Sequence, residues 1–264
     1  LTESTIEFEV SPHGVATLWF NRPEVNNAYD GALINDLKDA LLKLEQDSNV
    51  RLILVRGRGR HFQAGADLAW ISQVREADWQ TNVEVSRSTT NAVYALTICT
   101  KPTIALIHGA CMGGGTGLAA ACDIVIAEKS ARFAISEARL GLIATPILPQ
   151  LISRIGPARL RRYALSCETF DAERALAIGL VDEIAEEKGL DEKASPIIDS
   201  ILHCPPRALM ETKKAILKHS SLYFNELERE EIAQPHAAKR LTEEAGEGLQ
   251  SFHEKRKPSW YPGD

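Results

Sequence analysis

No apolar run in the 264 residues approaches the roughly 20 that a membrane-spanning helix needs, and no signal-peptide pattern opens the chain. The sequence begins at Leu1, so the initiator Met and any targeting segment ahead of it stand outside the numbering. Cysteine is sparse: Cys99, Cys111, Cys122, Cys167 and Cys204 are five in number, without the paired short spacings of a zinc site. An odd number in mostly apolar surroundings predicts buried free thiols and a reducing, cytoplasmic setting. The seven histidines are scattered, so no metal site is expected. A Gly-x-Ser-x-Gly elbow is missing, which argues against a serine hydrolase. There is no Gly/Ser linker and no internal repeat. The formal net charge of −6 argues against a nucleic-acid partner held by the overall field.

What is present suits one large α/β domain with a helical appendage. Hydrophobic residues make up 44% and charged ones 25%, an ordinary soluble balance. Residues 7–20 alternate around His13-Gly14 and predict a hairpin. Leu33, Leu37, Ala40, Leu41 and Leu44 repeat with helical period, predicting a helix over 31–46. Strands are expected at 52–55, 103–107, 124–127 and 132–135, and helix over most of 70–98 with a break near Trp79. Beyond Pro149 helices dominate: 151–155, 159–166, 172–178, 190–202, 206–218, 222–240 and 243–255. Strands alternating with helices, then a helical last third, imply a parallel-type sheet with a helical region behind it.

The chemistry concentrates in two turns. The apolar run 103–107 leads through His108-Gly109-Ala110-Cys111-Met112 into Gly113-Gly114-Gly115 and an Ala/Leu helix. Glycines at a helix start let a ligand oxygen approach main-chain N–H groups at the positive end of the helix dipole. A second turn, His61-Phe62-Gln63-Ala64-Gly65-Ala66-Asp67-Leu68, also follows a strand and leads into a helix. Two such turns can each aim one N–H at a shared carbonyl oxygen, the arrangement that stabilises an enolate formed from a thioester.

With these motifs in this order, from Asn21-Arg22-Pro23 to Phe252-His253-Glu254-Lys255-Arg256, the chain resembles the crotonase (enoyl-CoA hydratase/isomerase) superfamily. The resemblance implies an α/β spiral of ββα turns, residues 1–200, followed by a helical trimerisation region, 201–264. It implies a homotrimer or a hexamer of paired trimers, and places the oxyanion hole on the N–H groups of Ala66 and Gly114. Glu137 occupies the position of a family catalytic glutamate, delivered just after a strand; on composition alone it reads as a solvated turn residue paired with Arg132 or Arg139.

One departure stands out. Two-glutamate hydratases of the superfamily carry their other carboxylate where this chain has Gly117. The hydroxyl of Thr116 is no substitute as a base. The segments 59–70 and 136–143 resemble the methylglutaconyl-CoA hydratase subgroup and its isohexenylglutaconyl-CoA (γ-carboxygeranoyl-CoA) branch. That resemblance implies hydration of a branched enoyl-CoA with a second carboxylate, in acyclic terpene or leucine degradation. Arg139 is a candidate for holding that carboxylate, or for a structural salt bridge. The apolar stretch 143–149, with Met112 and Trp70, is read as acyl-pocket lining or as plain core. Coenzyme A, part of the substrate rather than a separate cofactor, is expected along Arg22, Asn27, Ala28, Ala64, Asp67, Leu68 and Gly113. Phe252, Lys255 and Lys257 are expected to close over it from this chain or a neighbour. Arg56, Arg58 and Arg60 read as a phosphate strip or as surface, and His108 as hydrogen-bonded core. Two other functions remain open: an enoyl-CoA isomerase working with one glutamate, and a noncatalytic acyl-CoA- or RNA-binding homologue.

Overall fold

The computed structural model describes residues 4–263. Its spine is a six-stranded sheet in the order β1-β2-β3-β4-β6-β9, formed by β1 (Ile6–Val10), β2 (Val15–Phe20), β3 (Leu52–Gly57), β4 (Thr103–Ile107), β6 (Ile124–Glu128) and β9 (Glu183–Ala185). Only β1 runs antiparallel to its neighbour. The central strands are apolar throughout because both sheet faces are covered. Ile53, Val55, Ala105, Ile107, Val125 and Ala127 belong to the main core. Their alternates Leu52, Leu54, Ile104, Leu106 and Ile126 pack instead under α7 (Leu190–His203).

The main core is closed by α1 (Gly31–Gln46), α3 (Trp79–Ile98), α4 (Gly114–Ala121) and α5 (Leu148–Ser166). Helix α1 has the predicted bounds, and Asp30 caps it by accepting from the Leu33 N–H. The predicted break in 70–98 separates α2 (Leu68–Arg75), capped by Asp67, from α3, capped by Asp78. Every residue of α4 is buried; an all-small helix lets its neighbours approach closely. In α5 the chain turns at Gly156, φ 73°, just before Pro157, so the two predicted helices join across a kink.

Between the strand 103–107 and the glycine turn the structure adds a strand that the sequence did not predict. The intervening residues form β5 (Ala110–Met112), which builds a small second sheet with β7 (Arg132–Ala134) and β8 (Phe170–Asp171). The helix expected over 222–240 starts later, as α9 (Glu226–Arg240), because Asn225 and Glu228 form a capping box. Helix α9 packs along α3. The last helix, α10 (Glu243–His253), folds onto α2 and the turn that carries Glu137. There Gly248 lies against the Leu140 carbonyl; a Cβ on Gly248 would stand 2.3 Å from that oxygen.

Candidate active site

The two turns are stitched to each other by the backbone. Gln63 N–H donates to the Ala110 carbonyl at 3.1 Å, and Met112 N–H to the Gln63 carbonyl at 2.9 Å. The buried Gln63 amide also spans the first turn, accepting from Gly65 N–H at 2.8 Å and donating to the Gly65 carbonyl at 2.9 Å. Tyr29 then brackets Ala66. Its N–H donates to the Gly65 carbonyl at 2.9 Å, while its carbonyl accepts from Asp67 N–H at 2.8 Å. This pairing leaves the Ala66 N–H without a protein acceptor among the described residues. At the second turn Gly113 takes φ 52° and ψ −124°, a conformation suited to glycine, and offers no side-chain cap to α4. Gly114 N–H is likewise free among the described residues. A Cβ on Gly114 would stand 2.5 Å from the Tyr29 ring.

Glu137 opens a 3₁₀ turn, Glu137–Leu140, just beyond β7. Its Oε1 faces Gly113, 3.1 Å from where a Cβ there would stand. Oε2 is shut off from solvent with no hydrogen-bond partner. Desolvation by burial pushes the carboxyl up to about 7, against the pull of the nearby Glu137 and Ser136 N–H groups. Glu137, Ala66, Gly113, Gly114 and Tyr29 line one cavity of about 270 Å³. A narrower recess of about 40 Å³ continues inward from Glu137 and Gly114, between Leu33, Leu37, Val93, Leu118 and Ile147.

The position opposite Glu137 is filled. A Cβ on Gly117 would fall 2.0 Å from Ile147 Cγ2, so the space a second carboxylate would need belongs to Ile147. The Thr116 hydroxyl donates to the Gly113 carbonyl at 2.6 Å and is buried. This wall of the cavity is apolar.

Several residues expected to bind coenzyme A have other duties. Asn27 is fully buried. It accepts from Arg22 N–H at 2.9 Å and donates to the Arg58 and His61 carbonyls at 2.8 Å. Its side chain therefore positions the loop, which leaves the main chain of Asn27 as the part that could meet a ligand. Arg22 pairs with Asp30 at 3.1 Å and Asp67 at 3.3 Å, and donates to the Ala28 carbonyl. It ties together the two residues that cap α1 and α2. Ala28 is buried, with its carbonyl taken by that contact. Arg56 pairs with Asp191, Arg58 pairs with Glu7 and covers Trp19, and Lys257 sits over Tyr261. His108 Nε2 is 3.0 Å from the Gly59 carbonyl.

Ala64 and Leu68 do border the active-site cavity, as do Met112 and Phe252. Phe252, Lys255 and Leu68 also line a broad groove of about 1050 Å³ between α2 and α10 of the same chain. Arg139 is at the cavity mouth and donates to the Cys167 carbonyl at 2.9 Å. Trp70 packs edge-on against Tyr29. All five cysteines are free thiols, with Cys204 the exposed one. Among the described residues no cluster of His, Cys, Asp or Glu could hold a metal ion, and no helix is long and apolar enough to cross a membrane.

Sequence reasoning missed Tyr29, Gln63, His236 and Arg240. Tyr29 and His236 line both the cavity and its inner recess. The sole hint of the latter pair is their i, i+4 spacing, which puts His236 and Arg240 on one face of a helix.

The pattern of the enoyl-CoA hydratase/isomerase family matches residues 11–262. A putative enoyl-CoA hydratase of Thermus thermophilus is 32% identical over 95% of this chain and 98% of its own. A mitochondrial Delta(3,5)-Delta(2,4)-dienoyl-CoA isomerase of Dictyostelium discoideum is 31% identical, over 92% of this chain and 86% of its own. The solved structure of a putative enoyl-CoA hydratase/isomerase (crotonase) from Legionella pneumophila superposes with a TM-score of 0.78 at 36% identity. That match covers 98% of this chain and all of the other. With two free N–H groups and a half-buried glutamate at one cavity, in a fold shared over nearly all of its length, the chain belongs to the enoyl-CoA hydratase/isomerase family, the crotonase superfamily.

Proposed function

We propose that the chain is a hydratase adding water across the double bond of a branched, carboxylate-bearing glutaconyl-type enoyl-CoA. Isohexenylglutaconyl-CoA, in acyclic terpene degradation, is ranked ahead of methylglutaconyl-CoA, in leucine degradation. The observation that carries this reading is the lone Glu137 carboxyl, poised near neutrality beside two unpaired N–H donors. The thioester oxygen sits between the Ala66 and Gly114 N–H groups. Glu137, as carboxylate, takes a proton from a water whose oxygen bonds to C3, and the π electrons move onto the thioester oxygen. The protonated Glu137 then returns that proton to C2, so one water is added and the carboxylate is regenerated. A pKa of about 7 suits a group that both takes and gives the proton.

The apolar lining of the inner recess, with Leu33, Leu37, Val93, Leu118 and Ile147, suits an aliphatic arm on the acyl group. The groove between α2 and α10, with Leu68, Ala64, Phe252 and Lys255, is assigned to coenzyme A, which enters only as the substrate's carrier. A homotrimer or paired trimers in the cytoplasm completes the reading. One observation favours a second activity: with Ile147 in place of a second acid, Glu137 alone can also shuttle a proton between the α- and γ-carbons, as an isomerase.

Purified protein is tested with methylglutaconyl-CoA, isohexenylglutaconyl-CoA, crotonyl-CoA and a 3-enoyl-CoA. Hydration of a branched glutaconyl thioester is expected, with Glu137→Gln lowering kcat by about 10²–10⁴-fold. Double-bond migration without water addition would make it an isomerase. Tight acyl-CoA binding with no turnover would make it a noncatalytic homologue.

A further inference from the structure

Arg240 is 1% exposed and no carboxylate meets it among the described residues. Burying a charge without a counter-ion is costly, so the groups around it matter. Its Nη1 donates to the Asn82 carbonyl at 3.3 Å and to Asn82 Oδ1 at 3.1 Å. Nη2 donates to Ser86 Oγ at 3.1 Å and to His236 Nδ1 at 3.2 Å, and Nε has no partner. All of these partners are neutral, so the positive charge remains uncancelled. Asn82 is itself fixed, donating to the Val74, Ala77 and Asp78 carbonyls.

A guanidinium can only donate, so His236 Nδ1 must accept, and the ring proton lies on Nε2. Ser86 Oγ is also within 2.9 Å of Nδ1. Burial, reinforced by Arg240, brings His236 down to about 3, which keeps the ring neutral and this tautomer in place. His236 is 7% exposed. Its Nε2 has no protein partner among the described residues, yet it is not among the atoms sealed from solvent. His236 lines the cavity together with Glu137 and Tyr29, and the unpaired Nε2–H is the polar group it has left to offer there.

We propose that His236 Nε2–H is the subsite for an anionic oxygen on the acyl group, the second carboxylate of the substrate. In this scheme Arg240 is a positioning residue that fixes the histidine tautomer and supplies the compensating charge. The assignment deepens the hydratase reading and rests on its placing the thioester oxygen at the Ala66 and Gly114 N–H groups, in the cavity that Glu137 and His236 also line. It moves carboxylate recognition away from Arg139, which is exposed at the mouth and already bonded to the Cys167 carbonyl.

The test is binding without turnover, using the full-length protein and two saturated thioesters, 3-methylglutaryl-CoA and its ω-methyl ester. The wild type is expected to hold the free acid at least about tenfold tighter than the ester, a difference of about 1.4 kcal/mol. His236→Phe and Arg240→Met should each collapse that ratio towards unity, while His236→Gln, which keeps a donor, should retain part of it. Should Arg240→Met fail to fold, the two His236 variants decide alone. A wild-type ratio near one, or a ratio that survives His236→Phe, overturns the subsite. Hydration of neutral enoyl-CoAs without an acid preference sinks the subsite alone. An acid preference in a protein that hydrates nothing sinks the hydratase reading and leaves the subsite standing.

Discussion

Glu137 lines the cavity half-buried, with one oxygen sealed from solvent, and Arg240 lies fully buried behind His236; neither meets a counter-ion among the described residues, and the fold handles the two charges in opposite ways. Glu137 is left with an unpartnered oxygen, so its carboxyl is pushed up to about 7 and can shed its charge by taking a proton. Arg240 has no such release. Burial lowers it only to about 10, so it stays cationic at neutral pH and is wrapped instead in contacts from Asn82, Ser86 and His236. The difference teaches which group is made to react. A group held close to neutrality with a bare oxygen can exchange protons during turnover, whereas a group wrapped in donors and acceptors can only set a field.

Adding a third charge to this cavity should break the balance most strongly. In Gly117→Glu the new Cβ meets Ile147 at once, and the carboxylate arrives in an apolar wall. Thermal unfolding should show a loss of about 3 kcal/mol or more, from overpacking together with an unpaired buried charge. Ile147→Ala in the same chain should recover part of it. A Gly117→Glu protein as stable as the wild type would show that Ile147 is not what keeps the position empty.

Changing pH sharpens the contrast with a smaller effect. In the proposed mechanism the reaction starts from the Glu137 carboxylate, so kcat/KM should fall about tenfold per unit below pH 7 and level off above it. Stability runs the other way. A carboxyl raised in the folded state favours folding while protonated, and that contribution is lost as pH rises from the unfolded value near 4.5 through about 7. Glu137→Gln should therefore melt above the wild type at pH 8 and close the gap near pH 4. A rate profile flat from pH 5.5 to 8.5, or a melting gap independent of pH, would contradict the assignment.

Much of this was legible in the sequence, for reasons that differ from one element to the next. Helix α1 could be bounded because its apolar residues face one core and Asp30 is a strong cap. The two turns with unpaired N–H groups were legible because glycine marks the close backbone approach they make. Strand β5 is three residues long and pairs with β7, twenty residues away, so no local periodicity announces it. Asn27 shows the limit of reading a loop residue by type: a polar side chain near the expected groove turned out to be an internal bridge. The Arg240 cluster was hidden because Asn82 and Ser86 lie on α3, 158 and 154 residues from Arg240 in sequence. A buried cation looks the same in a sequence as an exposed one.

Tyr29 holds the site in another sense. Its backbone clamps Gly65 and Asp67 on either side of Ala66, and its ring rests on Gly114. One residue thus serves as the hinge-pin for both unpaired N–H groups while its ring forms part of the cavity wall. In the proposed reaction, any acyl group that presses on that ring detunes the two N–H groups assigned to the thioester oxygen. Selectivity should consequently be written into the speed of the enzyme as much as into its grip: across a series of acyl chains kcat will fall as KM rises, and a series in which KM alone moved would show the ring and the donors to be uncoupled.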